Sequence, residues 1–214
     1  MKTAPENTND YLSGRGAQLN TDNKYLKNSI NKEHVEGIDD WEITNEKTSF
    51  IIGNSKSIVN KVESPDVNML YSLNPYQGCE HGCIYCYARN SHEYWGFSAG
   101  LDFERKIIVK QDAPELFKKF LEKKNWQASP ITISGNTDCY QPCERKYKLT
   151  RQLLQIALDY KQPIFMITKN ALILRDLDIL QELAKHQLVS VFVSITSLNE
   201  SLRQKLEPRT TTAK

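Results

Sequence analysis

The sequence predicts an α/β protein that forms a partial (β/α) barrel of about four core β/α units, preceded by a polar extended arm. From residue 65 onward, short apolar runs alternate with amphipathic helical segments, which is typical of parallel β/α units. Before that position the chain is rich in Asn, Lys, Asp, Ser and Thr, and its apolar periodicity is weak. We therefore expect an N-terminal extension over residues 1–64, partly disordered at its start, and a core domain over residues 65–214.

The elements of the core domain follow from these runs in chain order. Short runs rich in apolar residues predict strands at residues 72–76, 106–110, 131–134, 164–168 and 189–195, and one more in the arm at 49–53. Apolar residues at helical spacing predict helices at residues 112–124, 144–160, 174–186 and 199–208. Active sites of β/α barrels lie at the carboxyl ends of the strands, so the residues after each strand are the candidates for chemistry.

Composition and charge exclude few classes of function. The 214 residues carry 39% hydrophobic and 25% charged side chains, as globular domains do. The net charge of +2 neither indicates nor excludes a nucleic-acid partner. Residues 1–20 lack the apolar segment of a signal peptide, and no stretch approaches the roughly 20 apolar residues of a membrane helix. We therefore expect a cytoplasmic protein without membrane contact.

Five cysteines lie in the middle of the chain, at Cys79, Cys83, Cys86, Cys139 and Cys143. An odd number of thiols without a secretory signal indicates metal binding or catalysis rather than disulfides. The first three are spaced C-x3-C-x2-C directly after the first predicted strand. Gly78 and Gly82 let the backbone curl so that three thiolates can converge on one metal centre. Three ligands leave one position of a four-iron cluster open for a substrate.

Spacing alone leaves other metal sites open. Structural zinc sites pair two short motifs, so Cys139, Cys143 or His81 could complete a zinc site with the first three cysteines. A ferredoxin normally supplies four cysteines per cluster, and no fourth cysteine is in register here. A zinc-binding module without enzymatic activity is therefore the main alternative to an iron–sulfur protein.

The cysteine spacing, with the aromatic Tyr85 before the third cysteine, resembles the signature of the radical S-adenosylmethionine (SAM) superfamily. The wider segment Asn74-Pro75-Tyr76-Gln77-Gly78-Cys79-Glu80-His81-Gly82-Cys83 is similar to the DNA-repair-photolyase-like branch, which is related to spore photoproduct lyase. The arm segment Gly14-Arg15-Gly16-Ala17-Gln18 also looks like this branch. The resemblance implies a TIM-like radical SAM barrel in which Cys79, Cys83 and Cys86 hold a [4Fe–4S] cluster and SAM chelates the fourth iron.

The resemblance also implies contacts with SAM. Tyr85 would lie near the adenine, and Asn136, Thr137 or Asp138 would touch the amino group. An ordinary loop that caps the next helix explains these last three residues equally well. Lys169 follows an apolar strand, where it would present a cation to the SAM carboxylate and where a solvated lysine is the alternative.

Three further residues complete the predicted site. Ser194 and Thr196 alternate along a strand, so their hydroxyls face one side and would bind the ribose or carboxylate of SAM. Cys139 matches a cysteine that returns hydrogen to the product radical in spore photoproduct lyase, although a passive thiol is the simpler interpretation. The segment 207–209 is another candidate, but a helix end explains Pro208 fully.

Together these features predict an enzyme that cleaves SAM reductively to a 5′-deoxyadenosyl radical for hydrogen abstraction from an unknown substrate. The resemblance implies a reductant such as flavodoxin or ferredoxin. Two basic helical patches leave room for a nucleic-acid substrate, so a DNA-repair lyase is one alternative and the zinc module is another. Barrels of this family continue past the fourth β/α unit, where this sequence stops, so we expect an incomplete barrel with an exposed sheet edge.

Overall fold

The computed structural model of the chain describes residues 11–26, 47–64, 66–67 and 69–212. The start of the arm is predicted to be partly disordered, and its residues 1–10 lie outside these ranges. Among the described residues, no helix has the length and apolar character needed to cross a bilayer.

Within those ranges the chain forms two sheets and six α-helices, numbered here in chain order. The strands are β1 (Ser49–Ile52), β2 (Val59–Lys61), β3 (Tyr71–Leu73), β4 (Tyr76–Gln77), β5 (Lys106–Val109), β6 (Ile131–Ile133), β7 (Ile164–Thr168) and β8 (Val189–Val193). The helices are α1 (Leu101–Arg105), α2 (Ala113–Leu121), α3 (Glu144–Tyr147), α4 (Leu149–Asp159), α5 (Leu177–Lys185) and α6 (Glu200–Leu206). Two 3₁₀ segments lie at Tyr87–Trp95 and Ala171–Asp176.

The main sheet has the strand order β2-β3-β6-β7-β8. Strands β3, β6, β7 and β8 run parallel, and β2 is antiparallel to β3. Helices α2, α4 and α5 lie on the connections between these strands and pack side by side. The predicted partial (β/α) barrel is therefore confirmed as an open sheet of four parallel β/α strands, which does not close within the described part of the chain.

The hydrophobic core lies between the main sheet and this layer of helices. Its side chains have no exposed surface and come from both layers: Leu73, Ile131, Ile133 and Met166 from the strands, and Phe117, Leu153, Leu154 and Leu183 from the helices. Residues Phe165 and Ile167 alternate with the buried residues of β7 and are only half-buried. The face of the sheet away from the helices is thus left for a ligand.

The predicted strand 72–76 is wrong in extent because the chain changes sheets at Asn74 and Pro75. β3 lies in the main sheet, whereas β4 lies in a second sheet of order β1-β5-β4. Pro75 has no N–H to donate to a neighbouring strand. The Asn74 side-chain oxygen instead accepts the N–H of Asn136 at 2.9 Å. The cysteine segment therefore starts from the second sheet.

Two other predicted strands are confirmed in that second sheet. The strand predicted at 106–110 is β5, and the one predicted in the arm at 49–53 is β1. β5 lies between β1, to which it is parallel, and β4, to which it is antiparallel. The described part of the N-terminal extension thus contributes two strands to the folded structure, β1 to this sheet and β2 to the main sheet.

The predicted helix 144–160 is two helices, α3 and α4, because the chain breaks at Lys148, where φ is 52°. The buried carboxylate of Glu144 accounts for the break. It accepts the N–H of Thr150 at 3.1 Å, which satisfies a free donor in the first turn of α4. It also accepts a hydrogen bond from Arg175 at 2.6 Å. Lysine carries no helix-breaking signal, so the periodic pattern continues through it.

The other predicted helices are confirmed with shifted ends. The helix predicted at 174–186 is α5, and a 3₁₀ segment capped by Asn170 precedes it. The helix predicted at 112–124 is the shorter α2. In α6 the predicted cap is present, since Asn199 accepts the N–H of Leu202 at 3.1 Å.

Candidate functional site

The carboxyl ends of the parallel strands face a cavity of about 150 Å³. One side is formed by the cysteine loop, residues 78–86, and the residue after it, and its lining residues are Cys79, His81, Cys83, Tyr85, Cys86 and Tyr87. The other side is formed by strand ends, and its lining residues are Ser134, Asn136, Thr137, Asp138, Ile167, Thr168, Lys169 and Ser194. The structure therefore brings the three predicted cluster cysteines together with six of the predicted SAM-contact residues around one space.

The first half of the cysteine loop is held by Gln141, a fully buried residue that the sequence reasoning missed. Its side chain donates to the carbonyl of Gly78 and accepts the N–H of Glu80, both at 3.0 Å. The N–H of Cys79 donates to the carbonyl of Phe103 at 2.8 Å. Gln141 thus forms hydrogen bonds with the residues immediately before and after Cys79. It lies two residues after another cysteine in a loop, and no local pattern marks it.

The second half of the loop is held by Arg89 and by the C-terminal segment. Arg89 donates to the carbonyl of Cys83 at 2.9 Å. The N–H of Ile84 donates to the carbonyl of Leu206 at 3.0 Å, and the N–H of Arg209 donates to the carbonyl of His81 at 3.1 Å. Both loop glycines have positive φ, as their predicted role requires.

Burial controls the acidity of the loop thiols. It raises the pKa of Cys79 well above its usual value and raises the pKa of Cys83 to about 12. A thiol must lose its proton to bind iron, so the charge of a bound metal has to offset this burial. The donor set itself fits an iron–sulfur cluster, which is held by cysteine thiolates.

The described residues contain no group of three or more His, Cys, Asp or Glu side chains placed to hold a single metal ion. A zinc site requires four ligands that converge to about 2.0–2.3 Å from one point. A four-iron cluster makes a different demand, because each thiolate binds a different iron atom.

The loop after β6 is a folded structure with few free polar groups. Asn74 accepts the N–H groups of Asn136 and Thr137 at 2.9 and 3.3 Å. The Thr137 hydroxyl donates to the carbonyl of Tyr76 at 2.7 Å. Ser134, with φ of 81°, donates its hydroxyl to the carbonyl of Thr137 at 2.8 Å. The side chains of this loop therefore shape its backbone and also line the cavity, and their contact with SAM stays a prediction.

Asp138 joins this loop to the end of β7. Its carboxylate accepts the hydroxyl of Thr168 and the N–H of Lys169, both at 2.8 Å. The same carboxylate lies 3.5 Å from Nδ1 of His81. Asp138 thus holds the loop after β6, the end of β7 and the cysteine loop in fixed relative positions.

His81 is a fully buried, neutral histidine in the cysteine loop. Burial lowers its pKa, although the Asp138 carboxylate opposes this effect. Nε2 lies 3.1 Å from the amide nitrogen of Asn170, whose oxygen accepts the N–H of Leu172 at 2.9 Å. The amide nitrogen can only donate, so Nε2 accepts and Nδ1 carries the proton that faces Asp138. Both ring nitrogens therefore have protein partners.

A second polar cluster surrounds the buried carboxylate of Glu207, which lines a neighbouring cavity. This carboxylate accepts hydrogen bonds from the hydroxyl of Tyr85 and, at 2.6 Å, from that of Thr196. The ammonium group of Lys169 lies 3.0 Å from the same carboxylate. Burial raises the pKa of Glu207. Predicted residues Tyr85, Lys169 and Thr196 thus meet at Glu207, which lies in the segment 207–209 that the sequence suggested as another candidate.

Thr196 belongs to a neighbouring cavity of about 250 Å³ rather than to the cysteine cavity. The two cavities share Lys169 and Ser194. Ser194 and Thr196 both line the larger cavity, but Ile195 between them lines it too. β8 ends at Val193, so the predicted alternation of these hydroxyls along one face of a strand is wrong.

Cys139 does not line either of these cavities. Its side chain is fully buried in the hydrophobic core, and burial raises its thiol pKa well above the usual value. Cys143 is also buried, beside Tyr76 and Leu149. Cys139 therefore lies in the core and not at either cavity, and its role as a hydrogen donor stays a prediction.

Comparisons with known proteins place most of the chain in a family. The model of the family described as the Radical SAM superfamily matches residues 73–214. An uncharacterized protein of Mycobacterium tuberculosis strain H37Rv is 34% identical over 158 residues, which are 73% of this chain and 46% of that protein. An uncharacterized protein of Methanocaldococcus jannaschii is 29% identical over 165 residues, 77% of this chain and 58% of that protein. The chain thus spans about half the length of these relatives.

Among solved structures, spore photoproduct lyase is similar in fold. Its complex with dinucleoside spore photoproduct has a TM-score of 0.55 and 15% identity over 77% of this chain and 44% of that chain. A variant of the lyase with bound AdoMet and the same dinucleoside has a TM-score of 0.54 and 16% identity, with equal coverage. At this level of identity the likeness concerns the arrangement of strands and helices.

Proposed function

Because this chain belongs to the radical SAM superfamily, we propose that Cys79, Cys83 and Cys86 bind a [4Fe–4S] cluster and that the protein cleaves SAM reductively to start hydrogen abstraction. The observation that carries this proposal is the shared cavity, in which the three signature thiols face the polar ends of neighbouring parallel strands. When bound, the cluster supplies one electron to the SAM sulfonium, and methionine and a 5′-deoxyadenosyl radical result.

The cysteine loop supplies ligands from a braced backbone. Hydrogen bonds from Gln141 and Arg89 fix the peptide groups beside Cys79 and Cys83, so the thiols of both residues start from a defined position. Defined ligand positions lower the reorganisation that metal binding requires. The open side of the loop faces the cavity, where a small molecule can reach the remaining cluster position.

The strand ends orient SAM in this proposal. Lys169 lines both cavities, and its ammonium group suits the SAM carboxylate. In the chain without SAM, this ammonium group pairs with Glu207. Asp138 gives the opposite wall its negative charge, which suits the SAM amino group. The half-exposed ring of Tyr85 is available to the adenine. Tyr87 closes one side by donating its hydroxyl to the carbonyl of Gly135 at 2.6 Å.

We extend this proposal to the electron donor, the substrate and the outcome of the reaction. A flavodoxin or ferredoxin is the expected class of reductant. Nucleic acid stays a candidate substrate, but the position of Cys139 gives no support to a hydrogen return like the one expected for a DNA-repair lyase. Incubation of the reduced enzyme with ultraviolet-damaged DNA, followed by product analysis, tests that substrate directly.

Anaerobic reconstitution with iron and sulfide tests the proposal. We expect about four irons and four sulfides per chain, an electron paramagnetic resonance signal of the reduced cluster that SAM changes, and 5′-deoxyadenosine after reduction. Cys79→Ala, Cys83→Ala and Cys86→Ala should each lose the cluster, whereas Cys143→Ala, a buried thiol outside the cavity, should keep it. Purified chain that holds one zinc and no sulfide would contradict the proposal, as would a full cluster in Cys83→Ala.

A further inference from the structure

We infer that the arm turn, residues 14–18, is a positioning element of the cluster site and that it holds the cysteine loop in its ligand-binding shape. This inference rests on the proposed function. It concerns residues that reach the cluster only through the loop backbone, on the side away from the cavity.

The first observation is a direct backbone contact between Gly16 of the arm turn and Gly82 of the cysteine loop. A Cβ atom on Gly16 would lie 1.8 Å from the carbonyl oxygen of Gly82 and 2.8 Å from its carbonyl carbon. Real side chains do not approach backbone atoms so closely, so only glycine fits. Gly82 immediately precedes Cys83, and a shift of its peptide group would therefore move a cluster ligand.

The second observation is the buried carboxylate of Glu104, which has no exposed surface. It accepts the N–H of Ala17 at 2.8 Å and the N–H of Gly16 at 3.1 Å. Its remaining partner is the guanidinium group of Arg89 at 2.5 Å. The arm turn thus supplies two of the donors that compensate a buried negative charge, and their loss would leave that charge poorly paired.

Arg89 carries the connection to the cluster ligand. While one side of its guanidinium binds Glu104, two of its nitrogens donate to the carbonyl of Cys83 at 2.9 and 3.3 Å. A continuous chain of contacts therefore runs from the arm turn through Glu104 and Arg89 to the backbone of Cys83.

Arg15 fixes the arm turn in place. This almost fully buried side chain donates to the backbone carbonyl of Glu104 at 2.8 Å and to the hydroxyl of Thr48 at 3.1 Å. The turn is therefore anchored on both the backbone and the side chain of the same buried glutamate. A flexible turn, the simple interpretation of a Gly-Arg-Gly sequence, would need none of these contacts.

Gly16→Ala tests the inference, with Gly14→Asn as the matched control. Both glycines lie in the same turn, but a Cβ on Gly14 meets nothing within 4 Å, and its φ of 75° is one that asparagine tolerates. We expect Gly16→Ala to release cluster iron to a chelator about 10–100-fold faster than the parent chain, as loss of outer-shell support does at other metal sites. Gly14→Asn should release iron at the parent rate.

A second measurement does not depend on the cofactor. Amide hydrogen exchange across residues 79–86 of the cluster-free chain should be faster in Gly16→Ala and unchanged in Gly14→Asn. Glu104→Gln, which keeps the shape of the side chain but replaces an acceptor by a donor, should reproduce both effects if Gly16→Ala does not fold. Leu183→Ala lowers stability in the distant core and should not speed iron release.

The outcomes separate this inference from the proposed function. If the parent chain binds no iron–sulfide cluster, the proposed function is contradicted. Amide hydrogen exchange in the cluster-free chain then still tests the role of the arm turn. Parent chain with a cluster, together with unchanged exchange and unchanged iron release in Gly16→Ala and Glu104→Gln, overturns the inference alone. It is also overturned if Leu183→Ala speeds iron release as much as Gly16→Ala does.

Discussion

At the scale of single residues, the site is organised by buried carboxylates. Glu104 supports the cysteine loop on the side away from the cavity, Asp138 joins the loop after β6 to the end of β7, and Glu207 binds hydroxyl and ammonium groups in the neighbouring cavity. Each of these carboxylates accepts more than one hydrogen bond, so each fixes several chain segments at once. A change at one of them should therefore disturb geometry as well as charge.

Replacement of Asp138 by asparagine should weaken SAM binding while the fold is kept. In Asp138→Asn one carboxylate oxygen becomes an NH₂ group. In one orientation this group opposes the Lys169 N–H and the His81 Nδ1 proton, and in the other it opposes the Tyr140 N–H and the Thr168 hydroxyl. An unsatisfied buried donor costs about 1–3 kcal/mol, which is on the order of a tenfold to hundredfold rise in the Kd for SAM.

Titration of the reduced cluster signal with SAM measures this change. Asp178→Asn is the matched control, because Asp178 is an exposed carboxylate that binds Arg151 far from the cavity. Equal SAM affinity in Asp138→Asn and the parent chain would show that Asp138 does not shape the SAM site.

At the scale of elements, strands and helices with a local signal are predicted well, and their ends are not. The segments 131–134 and 164–168 are rich in apolar and β-branched residues, so β6 and β7 appear where the sequence indicates. The break at Lys148 depends on Glu144, whose carboxylate caps the following helix only in the folded chain. The crossing at Asn74 likewise depends on a loop that is distant in sequence.

The end of α5 offers a stability test at this scale. Gln187 follows the helix with φ of 57°, a conformation that usually belongs to glycine after a helix. Relief of this strain is worth about 1–2 kcal/mol, and the greater freedom of glycine in the unfolded chain offsets part of it. Gln187→Gly should therefore raise the free energy of unfolding by about 0.5–1 kcal/mol in urea denaturation.

Gln181→Gly is the control for this prediction. Gln181 is exposed in the middle of α5, where glycine should lower the free energy of unfolding by about 1 kcal/mol. If the two variants shift stability in the same direction, the positive φ at Gln187 is not a source of strain.

At the scale of the whole molecule, the candidate site has two parts. Some of its residues lie in one short sequence motif, and the others are distant in sequence and come together only in the folded chain. Cys79, Cys83 and Cys86 lie within eight residues, so their spacing alone predicts a shared centre. Gln141 and Glu207 reach the loop from positions far along the chain, and neither lies in a recognisable pattern. Contacts of this kind depend on topology, which periodicity does not determine.

The expected exposed sheet edge is present at β8, which pairs only with β7 within the described ranges. Val191, Phe192 and Val193 are exposed along this edge. Unpaired strand edges with apolar side chains promote association between copies. We expect the 214-residue chain to self-associate at micromolar concentration.

Val191→Lys should reduce that association, because charge on an edge strand opposes pairing. Light scattering after size-exclusion chromatography measures the change. Ser201→Lys adds the same charge to an exposed position of α6 and should have less effect. If both variants reduce association equally, net charge rather than the edge of β8 is responsible.

The bracing of the cysteine loop has a consequence for biosynthesis. Its backbone is tied to Arg209 and Leu206 near one end of the described chain and to Gly16 near the other. The ribosome must therefore release the chain through residue 209 before the loop acquires its final geometry. On the proposed function, nascent chains that end before residue 209 should therefore be poor acceptors for iron, and iron delivery should follow the synthesis of that residue.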